Sequence, residues 1–86
     1  MASFRIEWKH SAVKELKKLP PEIISRIISA VEGLSSNARP TGAKKLVGSD
    51  DSYRLRVGRY RIIYSIFETR FVIEIIRVGH RKEVYR

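Results

Sequence analysis

Cysteine is absent from the 86-residue chain, which removes any disulfide framework and any thiolate metal site. Histidine is scarce: His10 and His80 are the only two, too few for a histidine-built zinc centre. The opening residues, Met1-Ala2-Ser3-Phe4-Arg5-Ile6-Glu7, lack the apolar core of a secretory signal, and no run approaches membrane-spanning length. A cytoplasmic protein without metal or cofactor is expected. Acidic residues are also few. Nine Asp and Glu stand against eighteen Lys and Arg, leaving a net charge of +9 and a sequence pI near 10.4. That balance favours a polyanionic partner, whether nucleic acid, an acidic membrane surface or an acidic protein.

Where the charge lies says more than its total. Residues 1–36 carry six positive and four negative groups, and residues 37–50 carry three and one. Residues 51–86 carry nine and four, and eight of those nine cations are arginine. Arginine presents a planar five-donor fork suited to phosphate, which a merely solubilising surface does not need. The length allows one domain over residues 1–86, and an apolar fraction of 43% is enough to build its core.

Residues 4–8 alternate Phe4, Ile6 and Trp8 against Arg5 and Glu7, the period of a half-buried strand. Ala12, Val13, Leu16 and Leu19 then fall at helical spacing, with Lys14, Glu15, Lys17 and Lys18 on a solvated face and His10 or Ser11 as the cap. Pro20-Pro21 ends that helix, and Pro21 suits the first turn of a second. Its apolar stripe is Ile23, Ile24, Ile27, Val31 and Leu34. After the turn-forming residues 35–42 and the loop residues Lys44-Lys45-Leu46 come three strands, over 52–57, 60–67 and 71–78. Gly58-Arg59 and Glu68-Thr69-Arg70 are hairpin-length connections between them. The expected fold is α+β in the order β-α-α-β-β-β, a helical hairpin on one face of a largely antiparallel sheet, with the other face open.

On that open face, alternation places Arg54 and Arg56 opposite Tyr53, Leu55 and Val57, and Arg61 opposite Ile62, Tyr64 and Ile66. A two-residue hairpin makes Arg54 or Arg56 a cross-strand neighbour of Arg61. Like charges set that close repel, so the cluster makes sense as an anion site. The tail, Gly79-His80-Arg81-Lys82-Glu83-Val84-Tyr85-Arg86, adds His80, a residue type suited to proton transfer near neutrality, and Tyr85, which can serve if cations lower its pKa. Arg81 is suited to hold a phosphate or the charge developing on it. Lys44 and Lys45 are placed as helpers that extend the backbone-binding surface.

Taken together and in order, Lys44-Lys45-Leu46, Tyr53-Arg54-Leu55-Arg56-Val57, Tyr60-Arg61-Ile62-Ile63-Tyr64 and Val78-Gly79-His80-Arg81-Lys82-Glu83-Val84-Tyr85 resemble the RelE branch of the RelE/ParE toxin superfamily. The resemblance implies an endoribonuclease toxin of a type II toxin–antitoxin pair, silenced by a cognate antitoxin protein. It implies cleavage of messenger RNA in the ribosomal A site by metal-free attack of the ribose 2′-hydroxyl. By position, Arg54 and Arg56 match a basic pair on the first strand of the meander, and Arg61 the phosphate-binding arginine of the next. Arg81 and Tyr85 match the family's C-terminal arginine and tyrosine. The basic pair is often lysine in relatives, and arginine is a poor general base. Proton transfer is therefore assigned to His80 and Tyr85, giving Arg61, His80, Arg81 and Tyr85 as catalytic candidates and Lys44, Lys45, Arg54 and Arg56 as RNA-binding ones. Two other readings share the charge and outline: a ParE-like inhibitor of DNA gyrase and a non-catalytic RNA- or ribosome-binding module.

Overall fold

The structure is a computed structural model and describes residues 3–80. Strand β1 (Arg5–Trp8) leads into helix α1 (His10–Lys17) and helix α2 (Pro21–Leu34). Then follow β2 (Lys44–Lys45), β3 (Ser52–Val57), β4 (Tyr60–Phe67) and β5 (Val72–His80), with a 3₁₀ turn at Glu68–Arg70. The sheet order is β1-β5-β4-β3-β2; β1 runs parallel to β5 and every other pair is antiparallel. The expected α+β outline holds, with one strand added. Lys44 and Lys45, read as loop, pair with Arg54 and Tyr53 as a two-residue edge strand. Both sheet edges are short, and β2 is entirely lysine, an edge that discourages pairing with other chains.

The helices form where the apolar period demands. Ala12 and Leu16, one turn apart, are buried on α1, and Ile27, Val31 and Leu34 on α2. Pro21 occupies the first turn of α2, where its missing N–H is not needed. The cap of α1 differs from expectation. Lys9 is the N-cap and gives no side-chain hydrogen bond, while His10 and Ser11 lie inside the first turn. These helical stripes pack on Leu55, Ile62, Tyr64, Ile66, Ile73, Ile75 and Val78, one face of the three central strands. Among the described residues no helix is long and apolar enough to cross a membrane.

The opposite face is not open over its whole width, as the alternation suggested. Every residue from Arg61 to Ile66 is buried, so β4 is covered on both sides. The cause lies in the register: Ile63 is flanked by Arg54 on β3 and Arg77 on β5. Long arginine stems cover apolar neighbours while their heads stay wet.

Glu15 also departs from its expected place on a solvated face. Strand β1 ends opposite Ile75, leaving the far half of β5 without a strand on that side. There the Glu15 carboxylate accepts a hydrogen bond from the Val78 backbone N–H at 3.0 Å and pairs with Arg77 at 3.0 Å. A helix side chain thus completes the ladder. Glu15→Ala is expected to cost about 1–3 kcal/mol, mostly from the orphaned Val78 amide, because the half-exposed ion pair contributes little. Glu15→Gln, which keeps an acceptor, should lose markedly less; urea denaturation midpoints of the two variants check this order.

Candidate functional site

The cationic site is assembled by one hairpin. Gly58 takes φ +60°, which suits the first position of a two-residue turn and is costly for other residues. That turn puts Val57 opposite Tyr60 and Arg56 opposite Arg61, so the expected cross-strand arginine pair is Arg56 with Arg61. Arg54 lies opposite Ile63 and Lys44 opposite Arg54, which brings Lys44 to the same face.

Gly42, Lys44, Arg54, Arg56 and Arg61 line a cleft of about 210 Å³. Arg61 forms its deepest cation, only 7% exposed, whereas Lys44 and Arg56 are exposed and Arg54 half-buried. Gly42, with φ +98°, was not singled out in the sequence; its place in turn chemistry just before Lys44-Lys45 was the available signal. Four cations around so small a space raise the local concentration of anions and can hold a phosphate by several charge-assisted bonds. They can also stabilise the extra negative charge of a pentavalent phosphorus. Three of the four are arginines, whose guanidinium donates hydrogen bonds and accepts none, so the cleft itself supplies charge and donors, not a general base.

The other candidates are distributed differently. Lys45 lies opposite Tyr53, on the helix side of the sheet, and does not line the cleft. His80 lies opposite Tyr60, and its ring meets the Tyr60 ring edge-on at 5.7 Å. Tyr60 packs against the helical core, so His80 stands on the face opposite Arg61, whose partner on β5 is Gly79. A bulge between Ile63 and Tyr64 causes this. Ile63 pairs with Arg77 and Tyr64 with Ile75, so Ile76 is an extra residue that shifts the phase of everything after it. Without it, strict alternation from Ile73 and Ile75 would turn His80 toward the arginines. Arg81 and Tyr85 lie outside the described residues.

A second polar cluster, unanticipated, pins the loop after α2. Arg39 donates from Nε to the Tyr53 hydroxyl at 2.9 Å, pairs with Glu68 and lies over the Tyr53 ring. The Tyr53 hydroxyl and the Glu68 carboxylate both push the Arg39 pKa upward, keeping it charged. Tyr53 in turn stacks on Tyr64, whose hydroxyl donates to the Ala38 carbonyl at 2.8 Å. This is a structural clamp on the helix side, and it holds the loop that supplies Gly42.

Residues 6–85 match the model of the family described as the ParE toxin of type II toxin–antitoxin system, parDE. Toxin RelG of Mycobacterium tuberculosis is 30% identical over 87 residues, covering 96% of this chain and 97% of its own. Among solved structures, the archaeal RelE–RelB complex from Pyrococcus horikoshii superposes with a TM-score of 0.82 at 30% identity, over 93% of this chain and 97% of that one. The isolated toxin RelE of Escherichia coli gives 0.80 at 27% identity, over 98% and 92%. Model, relatives and architecture agree: the chain belongs to the ParE toxin family of type II toxin–antitoxin systems, on the RelE-like side of the RelE/ParE superfamily.

Proposed function

We propose that this toxin is an endoribonuclease that enters the ribosomal A site and cuts messenger RNA there, halting translation in the cytoplasm. The observation that carries this reading is the convergence of Lys44, Arg54, Arg56 and the buried Arg61 on one phosphate-sized cleft. The ribose 2′-hydroxyl attacks the adjacent phosphorus and loses its proton; the bond to the 5′ oxygen breaks, and that oxygen takes up a proton. The products are a 2′,3′-cyclic phosphate and a 5′-hydroxyl, and no metal or cofactor is required. Arg61 and Arg56 hold the phosphate, with Arg54 and Lys44 along the backbone and Arg81 on the tail adding to the charge; Lys45, on the other side of the sheet, takes no part in the cleft. Proton transfer is assigned to Tyr85 and His80, with Tyr85 first, because the His80 ring packs on Tyr60 across the sheet from the cleft. A cognate antitoxin is the proposed partner, as RelB is for the Pyrococcus horikoshii RelE. An acidic segment that folds as it binds would complement a surface of +9. The single domain is taken to span residues 1–86.

The matching family model carries the name ParE, so a second reading is a gyrase inhibitor acting by protein contact. One experiment separates the two. Purified toxin is added to programmed ribosomes and the message mapped for cuts, beside a gyrase supercoiling assay. Cuts within the A-site codon are expected from the wild-type toxin, lost in Arg81→Ala and Tyr85→Phe, with supercoiling unaffected. Intact message with inhibited supercoiling would overturn the ribonuclease reading; binding to ribosomes with no cut at all would leave a binding module.

A further inference from the structure

The arginine cleft does not end at the margin of the sheet. Arg56 lines it and also lines a second cleft, of about 450 Å³, on the helix side of β3. Arg26 and Ala30 of α2 bound this second cleft, together with Asn37, Leu55 and Gly58. The two share Arg56, which lies beyond the reach of β2, a strand that pairs only with Tyr53 and Arg54. A strand two residues long therefore leaves a passage around the edge of the sheet.

Arg26 is placed at the rim of that passage. A Cβ added at Gly58 would lie 3.5, 3.7 and 3.9 Å from its Nη2, Nη1 and Cζ. Both terminal nitrogens lie nearer than the carbon between them, so the guanidinium turns its Nη edge obliquely toward the hairpin turn. Arg26, Arg56 and Arg59 are all exposed, and among the described residues none of the three has an ion-pair partner. The cleft thus combines a planar cation, a floor of Ala30 and Leu55, the Asn37 amide and further guanidinium charge. A bare phosphate would not need the apolar floor, and an acidic side chain would not need the planar one. An unstacked base with its phosphate uses both. The volume is also within the range of small-ligand sites.

We propose that this second cleft seats one nucleotide of single-stranded RNA adjacent to the phosphate held in the arginine cleft, its base against Arg26, Ala30 and Leu55 and its phosphate on Arg56. The proposal rests on reading the first cleft as a phosphate site. Toxin and RNA then share a binding track that turns around the edge of β3 instead of lying flat on the sheet.

Labelled oligouridylates of two to six nucleotides, titrated by fluorescence anisotropy at several KCl concentrations, provide the test. Wild-type affinity is expected to step up about five- to tenfold when the length first reaches the second cleft, the scale of one stacked base. Arg26→Gln should abolish the step, because the base loses its planar cation, while the slope of log affinity against log salt changes by clearly less than the roughly 0.7 of one single-strand phosphate contact. Arg26→Lys, which keeps the charge but not the plane, should not restore the step. Arg61→Met should weaken every length, the dinucleotide included, and Lys17→Gln, an equal charge loss on exposed α1, should change neither step nor slope by more than a small uniform amount. Wild-type behaviour of Arg26→Gln, or an equal loss at every length, would overturn the second site while Arg61→Met still reports on the first. A step lost in Arg26→Gln with Arg61→Met unaffected would sink the phosphate reading of the first cleft. A wild-type toxin whose affinity never steps with length would overturn the proposal outright.

Discussion

Replacing Arg61 by methionine is expected to lower message cleavage at least a hundredfold while leaving the fold as stable as before or more so. The first half follows from its place as the deepest cation of the cleft, where one preorganised donor to a developing charge is worth about 10²–10³ in rate. The second half follows from its neighbours. Arg61 is 7% exposed and faces Arg56 directly across the hairpin, so the fold carries two like charges side by side. Methionine keeps the length and apolar volume of the stem while removing one of the two like charges. Chemical denaturation should place Arg61→Met between no change and about 2 kcal/mol above wild type, with cleavage near background. Sulfate should raise the melting temperature of the wild type beyond the effect of chloride at equal ionic strength, as any ligand of the native state does. The methionine variant should lose that increment. A variant that unfolds, or one that still cuts, would show that Arg61 is structural support and not the phosphate anchor.

Alkaline pH should produce the second large effect, through Tyr64. Its side chain is wholly buried, stacked 5.9 Å from Tyr53 and bonded to Ala38. Burial is the main cause that raises its pKa from 10.0 to about 12; nearby Tyr53 adds to the rise and Arg39 opposes it. The folded chain therefore keeps the phenol proton that the unfolded chain releases near pH 10. The stabilisation is fully present below pH 10 and is lost as pH climbs toward 12, by about 3 kcal/mol. For a domain whose total stability is about 5–15 kcal/mol, that is a large share. Tyr64→Phe is expected to be about 1 kcal/mol less stable at pH 8, since it deserts the buried Ala38 carbonyl. It should nevertheless lose less between pH 10 and 11.5 than wild type, and the two stability curves should converge. Parallel curves would mean that another group titrates.

Much of this architecture was legible from residue order. Helical spacing located α1 and α2, Pro21 marked the start of the second, and Gly58-Arg59 fixed the register that sets Arg56 against Arg61. What escaped was non-local or lacked a characteristic residue. A two-residue strand has no period to detect, so Lys44-Lys45 read as loop. Phe71 was assigned to the last strand, yet it closes the 3₁₀ turn at φ +52°, a left-handed position more often held by glycine or asparagine. Glu15 looked like any solvated helix residue because its partners, Arg77 and Val78, lie more than sixty residues away. The face taken by His80 depended on a bulge that hydrophobic pattern alone does not announce. Arginine type and clustering pointed to the cleft, whereas its exact membership required the register: Lys44 belongs and Lys45 does not.

The parallel pairing of β1 with β5 has a consequence for the birth of the molecule. Arg5 pairs with Val72, so β1 waits for a strand synthesised more than sixty residues later before its edge is matched. Until β5 leaves the ribosome, β4 has a neighbour on one side only, and Ile62, Tyr64 and Ile66 lack Ile73, Ile75 and Val78 to pack against. Long-range closure of this kind is slow relative to local hairpins and helices. A nascent chain can therefore display the arginine hairpin before the scaffold behind it is rigid. The timing of synthesis, set by topology alone, withholds a competent toxin until β5 has been made.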